Sequence, residues 1–270
     1  MTATAIANVA VFDGARRRDG LTVVFDERVL AIGRAHEVPE VDPADTIDGT
    51  GCTLLPGLVD MHVHVLERDV LPRYLDHGVT AIKDVGNDLE TILAHRRAVR
   101  EGDVDGPTIL LCGSMLDGPE PMWPEFSMAV ADEDTAASAV DELARAGVDG
   151  IKLYVYLAPE HMRAAIARAH EHGLPVTAHL GATPASEAIA LGLDGVEHDP
   201  RILDESRARV GHVGRIDDRV IGQEGVEPLG LHLGVVDRPR RAVPAEPVPG
   251  ILALGERGIV SHHVSCSARA

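Results

Sequence analysis

Along the first fifty residues, short apolar runs alternate with turns. Residues 5–12 are apolar and end at Asp13-Gly14, and residues 21–25 and 28–32 flank the charged pair Asp26-Glu27 as the arms of a hairpin would. Residues 39–51, rich in Pro, Asp and Gly, read as a connector. The pattern predicts a small all-β unit over residues 1–54. From residue 54 it changes. Apolar strands are predicted at 58–65, 79–85, 108–112, 150–156, 175–180 and 195–198, with helical periodicity at 88–101, 132–146 and 159–172 between them. Each helical stretch begins at Asp or Pro, and Gly102, Gly147 or Gly173 follows its end. Recurrent strand–helix–strand order means parallel βα units, hence a doubly wound sheet or a (β/α)8 barrel.

The pattern stops after about residue 205. Between Gly211 and Gly258 the longest stretch free of Gly and Pro is 215–221, too short for an ordinary helix of about 11–12 residues. Only 226–236 and 251–254 read as short strands, and 238–250 has linker composition. Three parts are therefore expected: a β unit at 1–54, a strand–helix unit at 55–206, and an atypical Gly/Pro/Arg-rich tail at 207–270.

Composition narrows the partners. Hydrophobic residues are 45% and charged residues 25% of the 270, an ordinary globular balance. Asp and Glu number 43 against 25 Lys and Arg, so the net charge of −18 repels a phosphate backbone and argues against a nucleic-acid partner. The cysteines Cys52, Cys112 and Cys266 are far apart, which suggests neither a disulfide framework nor a thiolate zinc knuckle. Asp13 precedes the basic run Arg16-Arg17-Arg18, unlike a secretory signal, and no apolar run is long enough to span a bilayer. The expectation is a reduced, cytoplasmic chain without a membrane partner, acting on a small molecule, with a homo-oligomer open.

The sharpest chemical signal is Leu55-Pro56-Gly57-Leu58-Val59-Asp60-Met61-His62-Val63-His64. On a strand, residues i and i+2 share a face, so His62 and His64 project in parallel and can grip one metal ion. Two buried histidines bonded to neighbours would be the bland alternative. The pair at strand spacing in a run of Leu, Val and Met favours the metal. His179 and His198 stand at the ends of later strands, where functional side chains of a barrel converge. Lys152 is a cation in the apolar strand Gly150-Ile151-Lys152-Leu153-Tyr154. A buried charge needs a partner or a modification, so a neighbouring carboxylate and a ligand role stand level. Asp84 and Asn87 fit either a pocket mouth or a turn. Trp123, in a long loop, and Tyr154 are candidate substrate contacts. His95, His161, His170 and His172 read as a solvated helix face, and His262-His263 as surface.

These residues carry a resemblance. The segment 56–64, then Gly78-Val79-Thr80-Ala81-Ile82-Lys83-Asp84-Val85-Gly86, Ile151-Lys152, Ala178-His179 and Glu197-His198 resemble, in order, the motifs of the amidohydrolase superfamily, most of all its imidazolonepropionase-like and prolidase-like branch. The resemblance covers roughly residues 1–205. It implies an α/β (β/α)8 TIM-type barrel, here with strands 1–6 and so incomplete, beside a small β-sandwich. It also implies a divalent ion, usually zinc, on His62 and His64. A second ion can be held by His179 and His198 and bridged by Lys152 where that lysine is carboxylated; otherwise a single metal is implied. Such a metal lowers the pKa of its water to about 7 and polarises a substrate carbonyl. The implied activity is hydrolysis of C–N bonds in small amides, cyclic amides or dipeptides. The alternatives are an impaired chain that binds metal without turnover and a hydrolase of lactones, esters or phosphoesters. The family's aspartate at the end of the eighth strand has only Asp237 as a stand-in, 39 residues past His198, too close for two βα units at about 30 residues each. The change of texture near Arg207 is expected to mark a shifted reading frame or a truncated gene.

Overall fold

Asp13 turns the first strand back on itself. Its carboxylate accepts from the backbone N–H groups of Ala15 and Arg16 at 3.0 and 2.8 Å, and Gly14 supplies the positive φ of 94°. The strands on either side, β1 (Thr4–Phe12) and β2 (Arg17–Phe25), pair antiparallel, and β3 (Val29–Gly33) pairs with β2. Two short strands, β4 (Thr46–Asp48) and β5 (Thr53–Pro56), lie parallel to β1. Ile6, Val9, Val11, Leu21, Val23, Phe25, Cys52 and Leu54 bury one face of this sheet together. The computed structural model describes residues 3–197 and, for the backbone, 251–255 and 258–259.

Gly57 alone separates β5 from β6 (Leu58–Val63). The chain then alternates: α1 (Leu71–Asp76), β7 (Val79–Asp84), α2 (Leu89–Glu101), β8 (Thr108–Leu111), β9 (Met115–Asp117), β10 (Ser127–Ala129), α3 (Glu133–Ala146), β11 (Ile151–Leu153), α4 (Pro159–Glu171), β12 (Val176–Ala178), α5 (Ala185–Ala190) and β13 (Gly195–Val196). All pairings among β6–β13 are parallel, in the orders β6-β7-β8 and β10-β9-β11-β12-β13. This is an α/β architecture. The strands β14 (Ile251–Gly255) and β15 (Gly258–Ile259) extend the first sheet, β14 running parallel to β5. The predicted strand at 251–254 therefore forms, whereas that at 226–236 lies outside the described residues. Among the described residues no helix is long and apolar enough to cross a membrane.

The helix ends obey their sequence signals. Asp88 caps α2 by accepting from Thr91 N, Asp132 and Thr135 form a reciprocal capping box on α3, and Pro159 opens α4. Gly102 and Gly147 close α2 and α3 at φ 79°. After Gly113 the chain adds a short strand, β9, that the sequence pattern did not predict, and β9 pairs with β11. One expectation needs correction. His95 is not on a solvated face but buried, its Nδ1–H donating to Thr91 O.

Candidate metal centre

His62 lies on β6 and His64 follows directly after its last residue, Val63, and each ring is held by an oxygen partner. His62 Nδ1 lies 2.7 Å from Glu197 Oε2, and His64 Nδ1 lies 2.6 Å from the carbonyl oxygen of Gly86. A carboxylate and a carbonyl can only accept, so Nδ1 carries a proton in both rings. In the neutral imidazole the lone pair then sits on Nε2. The ring centroids are 5.5 Å apart, edge to face. A ligating histidine normally has this arrangement, one nitrogen held by an oxygen acceptor and the other carrying the lone pair.

Glu197 was not singled out from the sequence. It follows β13, its backbone N–H donates to Ala178 O at 2.9 Å, and its other carboxylate oxygen, Oε1, lies 3.9 Å from Lys152 Nζ. Burial pushes its carboxyl up. Yet the His62 hydrogen bond, the Lys152 charge and the Thr177 hydroxyl outweigh burial and hold it down at about 2. Lys152 is 1% exposed, and burial draws its ammonium down to about 8 despite the Glu197 charge. Of the two roles open for Lys152, the structure supplies the carboxylate partner. Lys83 reaches toward the same cluster, its Nζ donating to Thr177 Oγ1 at 3.5 Å. Cys112 is buried beside it, and desolvation raises its thiol to about 12, so it stays protonated.

The remaining candidates fall into separate places. His179 follows β12 and packs its ring edge to face on Tyr154, centroids 5.1 Å apart. Trp123 is half exposed. Asp84 serves the turn: fully buried, it accepts from Val65 N, Gly86 N and Asn87 Nδ2 at 2.7, 3.1 and 3.1 Å. Burial raises its carboxyl above the ordinary range against those hydrogen bonds. His198 and Asp237 lie outside the described residues. Among the described residues no group of three or more His, Cys, Asp or Glu stands close enough to hold an ion. The Nδ1 contacts of His62 and His64 give the tautomer that a divalent cation would need, and Lys152 meets the Glu197 carboxylate that holds His62.

Comparison with known proteins assigns the family. The chain belongs to the amidohydrolase family, whose profile matches residues 53–229, past the change of texture near Arg207. It is similar to an uncharacterized protein of Mycobacterium tuberculosis, 31% identical over 207 residues, covering 65% of this chain and 52% of that one. It is also similar to an imidazolonepropionase of a Methylobacterium species, 26% identical over 255 residues, covering 72% and 64%. Among solved structures, a Xaa-Pro dipeptidase with methionine bound in its active site superposes with a TM-score of 0.62. That pair is 23% identical, covering 77% of this chain and 65% of the other, and shares the fold. The chain thus spans about half the length of the mycobacterial relative.

Proposed function

We propose that this chain is a metal-dependent hydrolase of C–N bonds in small amides, cyclic amides or dipeptides. Membership of the amidohydrolase family supports the reaction class, and the names of the similar imidazolonepropionase and Xaa-Pro dipeptidase suggest the substrate range. The carrying observation is the pair of Nδ1 contacts, His62 to Glu197 and His64 to Gly86 O, which puts the lone pair of each neutral ring on Nε2, the nitrogen a metal ligand of this kind uses. His62 and His64 would hold a divalent ion, zinc by resemblance, with His179, His198 and Lys152 as the further proposed ligands. Such an ion supplies Lewis acidity and a water of lowered pKa. The chain's own groups orient: Gly86 O and Glu197 fix the rings, and the Tyr154 and Trp123 side chains are proposed to meet the substrate.

Elemental analysis of the purified chain after zinc loading, with a panel of dipeptides and cyclic amides, tests this reading. Bound metal with turnover is the expected result. In folded samples His62→Ala and His64→Ala should each lower the metal content. Unchanged stoichiometry would remove the site assignment, and metal without turnover would remove the activity.

A further inference from the structure

We propose that Glu197 is a positioning residue for His62: its carboxylate fixes the ring and the Nδ1 proton, so that Nε2 is the nitrogen offered to a divalent cation. The proposal rests on the ligand role given to His62 above. Its grounds are geometric. Three strands each send one group to this single carboxylate: β6 sends His62 at 2.7 Å, β11 sends Lys152 at 3.9 Å, and β12 sends the Thr177 hydroxyl. The backbone N–H of Glu197 is itself bonded to Ala178 O, so the side chain hangs from a fixed point. Its side chain is 13% exposed, and a carboxylate so enclosed is costly unless its oxygens are engaged. It is therefore held on His62 rather than visiting it.

The two ring supports differ in a way that makes the idea testable. His64 leans on a backbone carbonyl, which no substitution removes, whereas His62 leans on a side chain. A hydrogen bond from a ring N–H to a carboxylate is charge-assisted, so it orients the ring more firmly than a neutral acceptor would. Loss of such an outer partner typically costs about 10- to 100-fold in metal affinity.

The experiment uses the full chain with Co2+ alone as probe. Affinity is read by calorimetry, and the His62 tautomer by nitrogen-15 spectra of histidine-labelled, metal-free protein. Glu197→Ala should weaken Co2+ binding by about 10- to 100-fold and shift His62 away from the Nδ1–H tautomer. Glu197→Gln keeps the shape but not the charge, and should bind Co2+ less tightly than the unsubstituted chain and more tightly than the Ala variant. Equal affinity for Glu and Gln would reduce Glu197 to a packing role and overturn the proposal, even if the Ala variant does not fold. An unshifted His62 tautomer in a folded Ala variant would overturn it too. If the unsubstituted chain binds no Co2+, the ligand reading of His62 fails first, a result distinct from either of these.

Discussion

At Gly86 the absence of a side chain decides the geometry of His64. A Cβ there would stand 2.8 Å from both Cγ and Sδ of Met115 and 3.2 Å from His64 Cε1, while the residue's carbonyl holds His64 Nδ1. Gly86→Ala should therefore push Met115 and the imidazole apart, costing about 1–3 kcal/mol by overpacking and weakening metal binding. Urea unfolding and metal titration check both effects. Met115→Ala in the same chain should restore part of the stability, and a neutral single substitution would refute the close approach. Part of this neighbourhood was legible beforehand, because the run 55–64 draws attention to both histidines, although β6 ends at Val63 and His64 follows it. Glu197 was overlooked beside His198, although two opposite charges in otherwise apolar strands, Lys152 and Glu197, needed partners and could have been matched. His95 was misread for a similar reason. With Ile92 and Val99 it falls on the i, i+3, i+7 stripe that faces the core, and its side chain follows that stripe rather than its polarity.

Elements are joined here by buried or half-buried carboxylates more than by long strands. Asp117, fully buried at the end of β9, accepts from Gly118 N, Met122 N and Tyr156 N at 2.9, 2.8 and 2.7 Å, so it fastens the loop that carries Trp123 to the loop after β11. Asp117→Ala should orphan those donors at about 1–3 kcal/mol and speed hydrogen exchange at Met122 and Tyr156; unchanged exchange would show that the loops hold without it. On the outer layer Asp141 of α3 grips Arg168 and His172, the latter just past the end of α4. First Arg168 and then His172 draw its carboxyl down to about 2. A carboxyl lowered on folding gives stability that is full above about 3.8 and fades as pH falls toward 2. Asp141→Asn should flatten the melting temperature across that window, and an unchanged acid slope would place the effect elsewhere. The long helices with caps were readable as elements. The six-residue α1 and α5 and the three-residue β9 and β10 were not, since each is shorter than one reliable period and owes its form to its neighbours.

Over the whole described molecule, the β sheet and the parallel strands meet without a linker. A Cβ on Gly57, the one residue between β5 and β6, would fall 1.9 Å from Thr80 Oγ1, and Leu58 N–H donates to Gly78 O at 2.9 Å, so the junction is packed onto β7. Residues on both sides of it belong to one compact unit. Two cores held this closely should unfold together. Val23 in the first sheet and Ile82 in β7 are both fully buried, whereas Leu58 on β6 is 49% exposed, an unusual position for a parallel strand, whose two faces are ordinarily covered. Ile82→Ala should cost about 2–5 kcal/mol and Val23→Ala somewhat less, both moving a single urea midpoint, while Leu58→Ala should move it little. If Val23→Ala displaced one transition and left a second in place, the sheet would be an independent domain, and the ring supports at His62 and His64 would have to stand without it.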